Sequence, residues 1–288
     1  PAAIDHAAVA RANWDNAQVQ PGSRADRIEI TLLPNLRGQT VAGFGGAFSA
    51  IGGECLQLLP TERREALLRE LYGEEGAAFS FCRTPIGASD FARRAYSLAD
   101  DEAAFDPQRI SLDPDRAHLL PWQQAAVRVN PRLRFHASPW SPPAWMKRNA
   151  DMCNGGGLKD GRAVREALAG YLAGYVAACA RAGVTIARLL LQNELDVTSR
   201  YPSCPYALDD FAAIQRDLLT PELRRRGLAC EPWGGTIRGI AGPQALELLA
   251  IPGFAASVAG LGVQYLRSDL LHALRRHHPD VRLMHTES

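Results

Sequence analysis

The sequence reads LLLQNELD over residues 189–196, an apolar run that breaks into two amides and an acid. Three consecutive leucines are typical of a strand buried on both faces, as in a parallel sheet covered by helices. Glu194 then lies at the end of a strand that is predicted to be buried on both faces, where an unpaired charge costs free energy. The same pattern recurs where a short strand predicted over 282–284 leads to Glu287. The sequence thus predicts two strands, far apart along the chain, that each end on a glutamate.

Strand-like runs alternate with helix-like segments through most of the chain. Seven strands are predicted, over 40–44, 79–84, 133–137, 186–191, 228–233, 257–264 and 282–284. Helical spacing of apolar residues predicts helices that begin at Thr61 as N-cap and stop at Gly73, and others over 167–179, 208–218 and 268–277. This alternation predicts a parallel α/β sheet with helical crossovers.

Two architectures fit that alternation, an open doubly wound sheet and an eight-stranded (β/α)8 barrel. An open sheet that binds a dinucleotide carries G-x-G-x-x-G after its first strand, but in the stretch that starts at Gly43 the third glycine is replaced by Phe48. A barrel instead collects its chemistry at the carboxyl ends of several strands. The unusual residues fall there: Arg83, Trp140, Asn193, Glu194, Tyr265 and Glu287. The sequence therefore favours a TIM-type barrel.

The domain organisation predicted from the pattern has two parts. Residues 1–38 form an N-terminal segment whose strand at 27–32 alternates like a half-buried antiparallel strand of an accessory β-sandwich. Residues 39–288 form the barrel. The sequence stops at Ser288, one residue after Glu287, so we expect a barrel that lacks its eighth strand and helix. Bare strand edges invite association with another polypeptide.

Composition excludes several classes of function. The 288 residues carry 32 Lys+Arg against 31 Asp+Glu, which argues against a nucleic-acid partner or an anionic membrane surface. No apolar run is long enough to span a membrane, and no signal-peptide pattern opens the chain at Pro1. Secreted and cytoplasmic locations both stay open. Six scattered cysteines without C-x-x-C spacing and the absence of H-E-x-x-H predict no metal site, and no cofactor is expected.

The two strand-end glutamates suit the hydrolysis of a glycosidic bond. That reaction needs one carboxylic acid to protonate the leaving oxygen and a second carboxylate on the opposite face of the sugar ring. Asn193 is placed to reach the sugar 2-hydroxyl. Trp140 and Trp145 follow the strand at 133–137 and either stack on a sugar or pack as a lid. Arg83 either orients Glu287, or holds Asp90, or forms an ordinary interior ion pair.

Several stretches in the same order resemble glycoside hydrolase family 30, the glucosylceramidase-like retaining β-glycosidases, from about Gln39 to the end. They are GFGGAFS at Gly43, FCRTPIGASDF at Phe81, ASPWSPPAWMK at Ala137, NGGGLK at Asn154, QNE at Gln192 and HTES at His285. The resemblance implies Glu194 as acid/base and Glu287 as nucleophile. It implies pocket roles for Arg83, Asp90, Trp140 and Asn193, and a barrel joined to a β-sandwich. The substrate it implies is a carbohydrate or a glycolipid.

The sequence departs from the family pattern at three places. An acid that holds sugar hydroxyls in the family corresponds to Ala50. The family's His-Trp-Tyr is replaced by Gln264, Tyr265 and Leu266, so the tyrosine expected at the nucleophile is Leu266 unless Tyr265 takes its place. The proline after Asn-Glu is Leu195.

The sequence leaves three candidate functions. The first is a retaining glycosidase of β-linked sugars that acts by double displacement. The second is a carbohydrate-binding barrel that has lost catalysis, suggested by Ala50, Leu266 and the missing strand. The third, a nicotinamide oxidoreductase, is disfavoured by Phe48 in place of the third glycine. We expect the glycosidase.

Overall fold

The computed structural model describes Asn35, residues 40–239 and residues 243–287. Within the compact unit Phe44–Ser288 the core is a six-stranded, all-parallel sheet whose strands lie in sequence order. The strands are β1 (Phe81–Ile86), β2 (Arg134–Pro139), β3 (Ile186–Leu190), β4 (Glu231–Arg238), β5 (Leu261–Gln264) and β6 (Leu283–Glu287). The predicted parallel α/β fold is confirmed. The predicted accessory strand at 27–32 lies outside the described residues, and the division at residue 38 stays a prediction.

One predicted strand was wrong. Residues 40–46 form no strand, and beside β1 there is only an isolated parallel bridge between Ala47 and Arg83. Residues 46–48 bond to β1, because Phe48 N donates to Arg83 O at 2.8 Å and Arg83 N donates to Gly46 O at 3.0 Å. The approach is close enough to require a glycine: a Cβ on Gly45 would lie 2.1 Å from the carbonyl oxygen of Phe81.

The remaining strand boundaries move by a few residues. The fifth predicted strand begins at Glu231 rather than at residue 228 and continues to Arg238. The sixth begins at Leu261, because Ser257 closes a short helix instead. The last strand extends to Glu287, so this glutamate is part of β6 and does not follow it. Apolar content alone could not mark these ends.

Helices separate the strands. They are α1 (Ala50–Leu58), α2 (Thr61–Tyr72), α3 (Leu119–Val129), α4 (Arg162–Arg181), α5 (Leu208–Ala213), α6 (Thr220–Arg225), α7 (Gln244–Ala250), α8 (Phe254–Ser257) and α9 (Ser268–His277), with a π-helical turn at Ile214–Leu219. The start of α2 differs from prediction, since Pro60 is the N-cap and Thr61 the first helical residue. In α4 the predicted apolar stripe is buried, and Gly174 admits the carbonyl of Pro107, which a Cβ would meet at 2.5 Å.

The sheet curls, because its two edge strands meet through side chains. In a flat sheet, β1 and β6 would lie about 24 Å apart, five spacings of about 4.8 Å. Instead, Arg83 of β1 donates from Nη1 to Glu287 Oε2 of β6 at 2.5 Å. An arginine and a glutamate side chain together bridge roughly half the flat distance. The six strands therefore form the larger part of a barrel, with the carboxyl ends of the strands converging on one mouth.

The barrel interior below that mouth is filled by large side chains. Leu190, Trp233 and Met284 form a buried cluster against Phe81. The Trp233 ring lies under the guanidinium of Arg188 at 4.4 Å from its centroid. This packing forms the floor of the mouth and separates it from the lower end of the barrel.

Two further predictions concern the described residues. All six cysteines are free thiols, and most are buried, as expected of small apolar side chains. No helix among the described residues has the length and apolarity to cross a membrane.

Candidate active site

Glu287 is held at the mouth of the barrel by donors from two strands. Oε2 accepts from Arg83 Nη1 at 2.5 Å and from Gln264 Nε2 at 3.1 Å. Oε1 accepts from the hydroxyl of Tyr265 at 3.3 Å. Arg83 is 5% exposed, and it also donates to Thr286 O and to Ser138 Oγ. Three interpretations of Arg83 were open from the sequence, and the structure places this residue against Glu287. Among the described residues, Arg83 donates no hydrogen bond to Asp90.

The amide of Asn193 has one orientation that fits its neighbours. Its Oδ1 accepts three hydrogen bonds, from Arg83 Nη2 at 2.5 Å, Gln264 Nε2 at 2.9 Å and Thr236 Oγ1 at 3.0 Å. A flipped amide would point its N–H groups at these donors, so the carbonyl must occupy this position. The Nδ2 group forms no hydrogen bond among the described residues and is the donor left for a ligand.

Glu194 follows directly, on a turn with an unusual backbone. Its φ is 49°, a left-handed conformation that is uncommon outside glycine. Its backbone N–H donates to Thr236 Oγ1 at 3.0 Å, so one buried hydroxyl serves both Asn193 and Glu194. Burial raises the pKa of the Glu194 carboxyl, and the negative charge of Glu287 raises it further. This environment favours a protonated Glu194, as a general acid requires.

The two tryptophans of the loop after β2 differ in role. Trp145 packs as a lid: its Nε1 donates to Ala99 O at 2.8 Å and its ring lies 5.3 Å from that of Phe105. Trp140 lies at the mouth, 7% exposed, with the Arg83 guanidinium 4.5 Å from its ring centroid. The sequence left both readings open for both residues, and only Trp140 joins the Arg83 cluster.

Asp90 lies on the loop after β1 and is exposed. Partial desolvation raises the pKa of its carboxyl, and the nearby charge of Glu287 raises it further. Asp90 therefore faces the same mouth without sharing the hydrogen bonds of Arg83.

The break in the family pattern after β5 is resolved by geometry. Tyr265 has a φ of 45°, and this turn brings its hydroxyl to Glu287. Leu266 packs against the hydrophobic core instead. Tyr265, and not Leu266, is therefore the residue that contacts Glu287. Gln264 is fully buried and bridges Asn193 to Glu287.

Sequence reasoning missed Ser138, Thr236 and Gln264 as members of the cluster. All three lie in the last part of a strand, which is the one signal that would have included them. Serine, threonine and glutamine are common there for other reasons, so that signal alone would also have selected many residues that do not contact the site.

The loops after β2 and β3 are tied together by a buried lysine. Lys147 is fully buried, and its Nζ donates to Met152 O at 2.8 Å and to Ser203 O at 2.7 Å. Burial lowers the pKa of its ammonium group. This link fixes the segment 199–205, which follows Glu194 along the chain, against the loop after β2 that carries the two tryptophans. Among the residues described, no group of His, Cys, Asp and Glu is arranged to hold a metal ion.

A curled parallel α/β sheet with helical crossovers, and with its cluster of polar residues at the carboxyl ends of the strands, places the protein in the TIM-barrel class. The model of the glycosyl hydrolase family 30 TIM-barrel domain matches residues 41–232, and the chain belongs to that family. The match ends before Glu287. The predicted family resemblance and barrel fold are thereby confirmed.

Relatives extend the similarity beyond residue 232. Putative glucosylceramidase 3 of Caenorhabditis elegans is 27% identical over 282 residues, 91% of this chain and 53% of its own length. An endo-1,6-beta-D-glucanase of Neurospora crassa is 31% identical, over 74% of this chain and 46% of its own. The chain spans about half the length of the curated relatives it matches.

Solved structures agree on the fold. SrfJ from Salmonella typhimurium superposes with a TM-score of 0.79 at 28% identity, over 85% of this chain and 56% of that one. The endo-beta1,6-glucanase BT3312 superposes with a TM-score of 0.81 over 90% of this chain and 60% of that one, and its 22% identity supports the fold alone.

Proposed function

We propose that this chain carries the active site of a retaining β-glycosidase that acts on β-glucosides by double displacement. The observation that carries the proposal is the arrangement around Glu287: a carboxylate held by Arg83, Gln264 and Tyr265 across the mouth from Glu194, whose pKa is raised. The glucosyl unit is suggested by the names of the relatives, which include glucosylceramidases and endo-1,6-beta-D-glucanases.

In the first step, one oxygen of Glu287 attacks the anomeric carbon while Glu194 protonates the leaving oxygen. Oε1 is the freer nucleophile, since Oε2 accepts from both Arg83 and Gln264. The C–O bond to the leaving group breaks as the ester bond to Glu287 forms. In this proposal Asn193 Nδ2, which has no partner among the described residues, donates to the 2-hydroxyl, a bond that strengthens in the transition state.

In the second step, Glu194 takes a proton from water, whose oxygen attacks the same carbon and releases Glu287. Esterification removes the negative charge of Glu287, and this charge is one cause of the raised pKa of Glu194. The pKa of Glu194 therefore falls in the intermediate, so the residue that was an acid becomes a base.

A fluorosugar experiment tests the proposal. Incubation with 2,4-dinitrophenyl 2-deoxy-2-fluoro-β-D-glucoside is expected to trap a glycosyl ester on Glu287, identified by peptide mass spectrometry. Glu194→Gln is expected to form the same ester but to lose hydrolysis of glucosides with poor leaving groups. An ester on another residue, or an α-anomer as first product in the NMR spectrum, would contradict the mechanism. Calorimetric binding of glucosides without any turnover would favour the carbohydrate-binding alternative.

Association through a sheet edge is a separate proposal. Among the described strands, β6 pairs only with β5, so its other edge has backbone groups available for a further polypeptide. Sedimentation of the purified 288-residue chain tests this: self-association or co-purification with a partner is expected. A monomer that melts cooperatively would count against it.

A further inference from the structure

A partly exposed ion pair stands beside Glu194. Asp196 follows Glu194 by two residues on a turn closed by the bond from Val197 N to Glu194 O at 3.0 Å. Arg238, the last residue of β4, donates to both oxygens of Asp196, from Nε at 3.2 Å and from Nη2 at 2.6 Å. The side chains of Arg238 and Asp196 keep 25% and 18% of their exposure, so the pair borders solvent at the mouth.

The pair leaves donors available in a fixed position. Both carboxylate oxygens of Asp196 point at the guanidinium, which holds the planar fork of Arg238 in place. A guanidinium has five N–H donors, and this pairing uses only part of them. Nη1 of Arg238 forms no hydrogen bond among the described residues.

The location of the Arg238–Asp196 pair places it on the side of the leaving group. Arg83 and Gln264 hold Glu287, and both also bond to Asn193, so this cluster marks the side of the sugar whose anomeric carbon is attacked. The proton donor Glu194 must lie beside the leaving oxygen. Arg238 lies on β4 beside Glu194, whereas Arg83 lies on β1 beside Glu287. Arg238 therefore faces the departing part of the substrate.

The charge of the pair selects among leaving groups. Arg238 and Asp196 neutralise each other, so the pair gives no net attraction to an anionic group. A lipid chain would cover donors that need hydrogen-bond partners, and desolvating them without partners costs free energy. A neutral group with several hydroxyls can accept from Arg238 without this cost. Tyr201 lies close enough to Glu194 to feel its charge and adds a partly exposed aromatic ring on this side.

We propose that Arg238, held by Asp196, forms a leaving-group subsite for a sugar, so that the preferred substrate is a β-linked oligosaccharide and not a glycolipid. This inference rests on the proposed glycosidase function. It makes Arg238 a specificity-determining residue that contacts substrate hydroxyls.

Three glucosides with the same glucosyl unit separate the possibilities: gentiobiose, octyl β-D-glucoside and 4-nitrophenyl β-D-glucoside. The measured quantity is the ratio of kcat/KM for gentiobiose to kcat/KM for octyl glucoside, in the protein as the cell makes it. Changes in the protonation of Glu194 affect both substrates and largely cancel in this ratio. The wild-type ratio is expected to exceed one, and Arg238→Gln is expected to lower it by about tenfold or more, as the loss of a hydrogen bond to a charged group implies.

Two further variants complete the design. Asp196→Asn removes the charge that holds Arg238 in place but leaves the arginine itself, so we expect a smaller fall in the ratio. This variant also serves as the test if Arg238→Gln does not fold. Arg162→Gln removes an exposed arginine paired with Glu166 on α4 and is expected to leave the ratio unchanged.

The outcomes separate the two proposals. A wild-type preference for octyl glucoside, or an unchanged ratio in both Arg238→Gln and Asp196→Asn, would overturn the leaving-group inference while hydrolysis of 4-nitrophenyl glucoside upholds the glycosidase. Failure to cleave any of the three glucosides would overturn the glycosidase and this inference together.

Discussion

Replacing Thr236 by valine removes one hydroxyl and keeps the shape of the side chain. The side chain is fully buried at the end of β4, and its hydroxyl accepts from Glu194 N at 3.0 Å and donates to Asn193 Oδ1 at 3.0 Å. Thr236→Val therefore breaks two contacts of the proposed catalytic machinery without removing any atom of Glu194 or Asn193.

The magnitude follows from what each partner retains. Asn193 Oδ1 keeps its bonds from Arg83 and Gln264, so the loss there is about 0.5–1.5 kcal/mol. The Glu194 N–H loses its only partner among the described residues, which costs about 1–3 kcal/mol. We expect the free energy of unfolding to fall by about 1.5–4.5 kcal/mol.

The effect on activity depends on the leaving group. General acid catalysis contributes about 10²–10⁴-fold, and a displaced Glu194 loses part of it. We expect kcat for octyl β-D-glucoside to fall about 30- to 100-fold. For 2,4-dinitrophenyl β-D-glucoside, whose leaving group needs little protonation, kcat for ester formation should fall less than about threefold. Steady-state and pre-steady-state kinetics on both substrates give the comparison.

Matched variants separate positioning from general destabilisation. Thr236→Ser keeps the hydroxyl and is expected to keep both rates near the wild-type values. Thr220→Val makes the same change at another buried threonine, whose hydroxyl donates to Ser257 O at 2.9 Å. Neither residue belongs to the cluster around Glu287. It should lose stability without any leaving-group dependence. Equal losses on both substrates in Thr236→Val, or no loss, would refute the positioning role.

Three further predictions follow from the contacts of single residues. Arg83→Lys keeps a charge but loses the planar fork that joins two acceptors, so we expect kcat/KM for 4-nitrophenyl β-D-glucoside to fall at least about 100-fold, with an unchanged value refuting the role. Gln264→Glu replaces a donor to Glu287 by a second acid, and a kcat decrease of about tenfold or more is expected, whereas wild-type turnover would show that this donor is dispensable. Burial raises the pKa of Asp115 from 3.8 to about 6, so its protonated form stabilises the fold below pH 4 and that stability, about 3 kcal/mol at most, is lost as pH rises through 6. Asp115→Asn should therefore gain stability over wild type at pH 8 but little at pH 4 in urea titrations; the exposed Asp113→Asn is the control, and an equal gain at both pH values would contradict the argument.

The sequence by itself determined the parallel α/β class, the family and the set of polar residues at the strand ends. These depend on local patterns: apolar runs for buried strands, helical spacing for crossovers, and short motifs in order. It was wrong about the strand predicted over 40–44, because the pairing of a segment with a neighbouring strand is a tertiary contact that no local pattern records.

Only the tertiary structure decided how those residues meet. The bond from Arg83 to Glu287 joins positions 204 residues apart, and it exists because the curvature of six strands brings the two sheet edges together. The orientation of Asn193 depends on donors from three strands, and the choice of Tyr265 over Leu266 depends on one left-handed backbone turn. Side-chain type is written in the sequence, but direction and distance at the mouth depend on sheet curvature and loop conformation, which the packing of the whole barrel fixes.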